Sequence, residues 1–120
     1  MRLAVLALLV LPLAAQAAPA SPEGHWARGD GKAKVVIEPC GGDICAINTW
    51  IRPDVKDEHV GDKLVMTVAA KGDKWTGKAF DPQRNLRYGM TMTVAGDKMT
   101  TSGCVFGGLI CKSMNWSRID

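Results

Sequence analysis

Hydrophobic and polar residues alternate with a period of two along several short stretches of this chain. The clearest are Leu64, Met66, Val68 and Ala70; Tyr88, Met90, Met92 and Val94; and Met114 with Trp116. On an extended strand such residues share one face. The positions between them, Thr67, Thr91, Thr93, Ser113, Asn115 and Ser117, are polar or β-favouring and suit a solvated outer surface. Helical periodicity is absent. Strands are predicted at Gly24 to Arg28, Lys34 to Pro39, Ile44 to Ile51, Lys63 to Ala70, Lys74 to Asp81, Leu86 to Val94, Lys98 to Val105 and Ser113 to Ile119. Between them stand Gly29-Asp30-Gly31, Gly41-Gly42-Asp43, Lys71-Gly72-Asp73, Asp81 to Asn85 and Gly96-Asp97, residue types that favour tight turns. Mostly hairpin-length connections predict an all-β antiparallel meander. Its apolar face has to be covered, and closing the sheet into a small up-and-down barrel of about eight short strands does so while removing exposed edges. A two-sheet sandwich is the alternative architecture.

Ahead of the strands, Arg2 is followed by an apolar run from Leu3 to Ala15, broken only by Pro12. The run is too short to span a bilayer and reads as an export signal. Small residues follow it, so cleavage is expected after Ala17, with Ala20 as the alternative. The expected organisation is a signal peptide over residues 1–17, a short linker over 18–22 and one barrel domain over 23–120, in the periplasm or secreted. No later stretch is apolar enough to span, so no membrane insertion is expected once the signal is removed.

The full chain carries 15 Lys and Arg against 12 Asp and Glu, and loss of Arg2 lowers the formal charge from +3 to +2. A balance this small, with the basic residues dispersed, gives no argument for nucleic acid or an anionic membrane. The four cysteines do change the picture. They stand in two glycine-rich loops, Cys40-Gly41-Gly42-Asp43-Ile44-Cys45 and Cys104-Val105-Phe106-Gly107-Gly108-Leu109-Ile110-Cys111. An even count in an exported chain implies disulfides; three connectivities are open, and proximity favours the two local ones. Each local loop would stabilise the fold by about 2 to 2.5 kcal/mol in the chain-entropy model. Neither spacing is that of a redox pair or a zinc site, so no metal and no cofactor are expected.

The segment from about Glu23 to Arg118 resembles an exported bacterial family, domain of unknown function 2147 (DUF2147). The likeness is carried by Gly24-His25-Trp26, Cys40 to Cys45, Trp75-Thr76-Gly77 leading to Phe80-Asp81-Pro82, then Tyr88, and finally Trp116-Ser117-Arg118. The chain is similar to the shorter, cysteine-rich branch, because the loop from Cys104 to Cys111 stands where longer members carry a different one. It lacks their Asp-x-x-Asn-Pro segment and has Pro53 to Gly61 instead. The resemblance implies a small lipocalin-like β-barrel and no established activity. Gly24-x-Trp26 with Trp116-x-Arg118 is also similar to the signature that closes one end of lipocalin-type barrels. There an arginine stacks on the first-strand tryptophan, and Trp26 and Arg118 are the expected pair here, in a structural role.

Catalytic chemistry finds little support. Asp57-Glu58-His59 has metal-ligand residue types, but adjacent residues of an extended loop diverge, and a solvated acidic loop is expected. Ser102 and Ser113 lie in no nucleophile elbow, and no catalytic residue is assigned. Met66, Met90, Met92, Met99 and Met114 could offer soft sulfur to copper(I), yet core packing is the default for methionine. Two non-enzymatic classes remain for a monomer. One is a binding module whose interior, lined by Trp50, Tyr88, Met90 and Met92, takes a small apolar or amphipathic ligand. The other is a protein-interaction module, a periplasmic inhibitor or envelope accessory, presenting Phe106 and Leu109 on a disulfide-stiffened rim loop. That loop could instead fold over the barrel end as a plug.

Overall fold

A computed structural model describes residues 2–11 and 18–119. The expected cleavage position at Ala17 lies outside the described residues. Eight strands follow in chain order: β1 (Gly24–Arg28), β2 (Ala33–Cys40), β3 (Asp43–Ile51), β4 (Lys63–Lys71), β5 (Lys74–Asp81), β6 (Leu86–Ala95), β7 (Lys98–Val105) and β8 (Ile110–Arg118). Each pairs antiparallel with the next, and β8 returns to β1 to close the barrel. The sandwich is thereby excluded. The last strand begins at Ile110 rather than Ser113, because Cys111 lies directly opposite Cys104 and the ladder continues to the pair Val105 and Ile110. Only Phe106 to Leu109 remain as the connection, with a short 3-10 turn over Phe106–Gly108.

The period-two apolar residues turn inward as their spacing requires. Val35, Ile37, Met66, Met90, Met92 and Met99 form one buried cluster with Trp26 and Ala79. Connections of one kind, β2–β3, β4–β5 and β6–β7, are tight turns at one end. At that end Ile44, Val68, Trp75 and Val94 pack against the cluster and fill the interior. Trp26 is fully buried there, and its indole N–H donates to the Pro22 carbonyl at 2.9 Å. The Arg118 guanidinium stands 4.3 Å from the Trp26 ring centroid, while its Nη1 donates to the Glu23 carbonyl at 2.9 Å. This stack ties the last strand to the first, a contact worth about 0.5 to 2 kcal/mol.

Both local disulfides are formed, Cys40 with Cys45 and Cys104 with Cys111. The bridges stiffen opposite ends. Cys40–Cys45 spans the β2–β3 turn at the filled end, and Cys104–Cys111 ties the β7–β8 hairpin at the other. Cys45 points to the outer wall yet is only 1% exposed, because Glu38, Val65 and Phe80 continue its row across neighbouring strands. Arg87 completes that row by stacking 4.0 Å over the Phe80 ring.

Candidate functional site

At the end carrying the β1–β2, β3–β4, β5–β6 and β7–β8 connections the barrel is open, and a cavity of about 440 Å³ runs into it. Its walls are apolar in depth. Val35, Ile37, Leu64, Met66, Met90, Met92, Met99 and Met114 line the interior, and every methionine of the barrel domain is among them. The alternation that predicts the strands also predicts this lining, since each of these residues occupies an inward position. Thr101 is a polar member of the lining, and its hydroxyl accepts from the Trp116 indole N–H at 3.0 Å.

The mouth is charged and ordered by ion pairs. Arg28, at the end of β1, donates through Nη1 and Nη2 to both carboxylate oxygens of Glu58 at 2.7 Å, and through Nε to Asp30 at 3.0 Å. Glu58 sits in the long β3–β4 loop. From the opposite side Arg84 donates to the Asp57 carbonyl at 2.6 Å and to Asp81 at 2.9 Å. Two arginines therefore hold consecutive residues of one loop from two sides of the opening. Gln83 clips the start of β4, accepting from Lys63 N at 2.9 Å and donating to Lys63 O at 2.8 Å. The hydrogen bonds from Arg28 hold the Glu58 carboxyl below the usual carboxylate range, despite partial burial. Burial pushes the Asp81 carboxyl up, but donors from Arg84 and Gln83 outweigh it and hold it below its ordinary value.

Of the residues the sequence singles out for a ligand, Tyr88, Met90 and Met92 line the cavity together. Trp50 does not. Simple alternation from Ala46 and Asn48 would point it inward. The register between β2 and β3 shifts by one residue at Lys34 and Val35, so Asn48 faces Val35 while Trp50 faces Lys34 on the outer wall. There Trp50 is 38% exposed and the Lys34 ammonium lies 5.2 Å from its ring. Phe106 and Leu109 are 74% and 86% exposed, so the hairpin tip projects away and the plug arrangement is not formed. Asp57-Glu58-His59 diverges as expected of an extended loop, but Glu58 is committed to Arg28 rather than solvated. That pair joins residues 30 apart in sequence, and only the opposite charges of the two side chains hint at it.

The chain is thus a closed eight-stranded antiparallel barrel with an apolar interior open at one end, an architecture that hosts many unrelated roles. The chain belongs to the family described as uncharacterized protein conserved in bacteria (DUF2147), which matches over residues 24–118. No curated protein and no solved structure matches the chain.

Proposed function

We propose that this protein is an exported, non-catalytic binding module whose barrel takes a small apolar or amphipathic ligand through its open end. The observation that carries the reading is the cavity itself, which at about 440 Å³ falls within the range of about 300–1,000 Å³ typical of small-molecule sites. Methionine-rich walls support it further, because unbranched thioether side chains repack around ligands of different shape. Two disulfides and the apolar N-terminal run fit an oxidising compartment reached by export. The test is native mass spectrometry of the protein released gently from the periplasm of its own cell. A bound small molecule, lost on organic extraction, is the expected result; a bare mass alone, with no uptake of apolar probes, would sink the reading.

A second reading has its own support. Phe106 occupies the left-handed region at φ 54 with its ring exposed, a conformation that costs a bulky L-residue about 1 kcal/mol or more. Together with Leu109 it makes the β7–β8 tip an exposed apolar knob suited to an envelope protein partner. Phe106→Gly should then stabilise the fold slightly by relieving the backbone while abolishing partner capture by crosslinking in the native envelope. Unchanged capture would remove this reading.

A further inference from the structure

Resting on the reading of the barrel as a small-molecule site, we infer that its ligand is an anionic amphipath of the fatty-acid kind, with the head held at the mouth by Lys112 and Tyr88 and the tail among the methionines. The starting point is a break in a pattern. Strand β8 presents Ile110, Lys112, Met114 and Trp116 to the interior, so one lysine interrupts an otherwise apolar row on the cavity wall. Its neighbour across the ladder is Gly103, which has no side chain to shield it. The space over Gly103 is taken by Tyr88 instead: a Cβ added at Gly103 would stand 2.8 Å from the tyrosine ring. Tyr88 and Lys112 therefore meet at the same seat on the wall, one bringing a phenolic hydroxyl and the other an ammonium.

Neither group is engaged by the protein. Among the described residues, the Tyr88 hydroxyl and the Lys112 ammonium have no hydrogen-bond or ion-pair partner. The acidic side chains of the lining are each already committed. Glu58 is held by Arg28, Asp81 by Arg84 and Gln83, and Asp62 accepts from the His59 backbone N–H. The donors left without acceptors are Lys112 and Tyr88, and they stand together where the apolar wall begins. A carboxylate accepts from both kinds of donor, and such charge-assisted bonds are about twice as strong as neutral ones. An alkyl chain attached to it would run inward past Met114 and Met90.

The experiment uses the mature protein with three probes sharing one dodecyl chain, dodecanoate, dodecanol and dodecyltrimethylammonium, with binding read by tryptophan fluorescence and calorimetry. Dodecanoate should bind about tenfold tighter than dodecanol, a gap of about 1.4 kcal/mol, and the cationic probe should bind weakest. Lys112→Gln should bring dodecanoate to the affinity of dodecanol while leaving dodecanol unchanged; Lys112→Arg should keep the preference, and Tyr88→Phe should lose part of it. Since Lys112 is exposed and the substitution keeps β8 intact, a folding defect would show separately in thermal denaturation. Equal affinity for all three probes overturns the anionic-head inference and leaves the cavity reading standing. Failure of every probe to bind overturns both.

Discussion

Individual glycines decide where this barrel can be tightly wound. Gly77 lies on the inner side of β5, and a Cβ there would stand 2.0 Å from the Thr67 carbonyl oxygen and 2.9 Å from the Val68 Cα, both backbone atoms of β4. A backbone cannot step aside as a flexible side chain can. Gly77→Ala is therefore expected to lower stability by about 1–3 kcal/mol, as overpacking does, measured by chemical denaturation. Gly89 is the matched control, because its nearest neighbour, the Cys104 carbonyl oxygen, would be 3.7 Å away, an ordinary contact. Gly89→Ala should leave stability within about 0.5 kcal/mol. The special position of Gly77 was partly legible, since a glycine inside an otherwise β-favouring run signals close backbone approach. The inversion at Trp50 was not: one extra residue on β3 reverses which side a side chain faces, and nothing local in Thr49-Trp50-Ile51 marks a bulge.

Among the elements, the β3–β4 loop and the two disulfides carry separate expectations. The loop is strapped by Arg28 to Glu58, with both side chains partly shielded from water. Since the folded Glu58 carboxyl titrates below its ordinary value, its contribution is fully present above the unfolded carboxylate range of about 4.3 and is lost as pH falls through the lower folded value. Glu58→Gln should cost about 1–2 kcal/mol near neutrality. The gap between variant and native protein should then close as melting is repeated at progressively lower pH below the carboxylate range. A gap that persists undiminished in acid would mean that the loop is held by something other than this charge. The bridges should differ in reactivity because Cys45 is buried in the outer row whereas Cys111 is exposed. Under mild reductant without denaturant, mass spectrometry after alkylation should find Cys104 and Cys111 labelled well before Cys40 and Cys45. Here the sequence spoke clearly about the bridges and faintly about the strap. Local cysteine spacing limits the pairing, but an ion pair across 30 residues depends on barrel closure, which no short motif encodes.

At the scale of the whole molecule, the barrel and its cavity follow from different information. Closure was legible because the inward apolar residues of the alternating strands have to bury one face, and hairpin turns leave few other ways to do it. Whether the interior is filled was not, because it depends on the sum of side-chain volumes against the size of the barrel, and small inward residues such as Ala46 leave space that alternation alone cannot count. This gives a direct way to separate the fold from the site. Ala46 sits on the cavity lining, half-buried, beside Ile37 on β2 and Leu64 on β4. Ala46→Phe would project a ring into the open space rather than into packed atoms, so the usual overpacking penalty does not apply. Burying part of that ring should hold stability constant or raise it by up to about 1 kcal/mol. Ligand uptake, in contrast, should fall more than tenfold, because the ring and the ligand compete for the same volume. Heat denaturation and probe binding measured on the same sample distinguish the outcomes: a stable barrel that no longer loads places the ligand inside, whereas a stable barrel that loads as before places the binding surface elsewhere on the molecule.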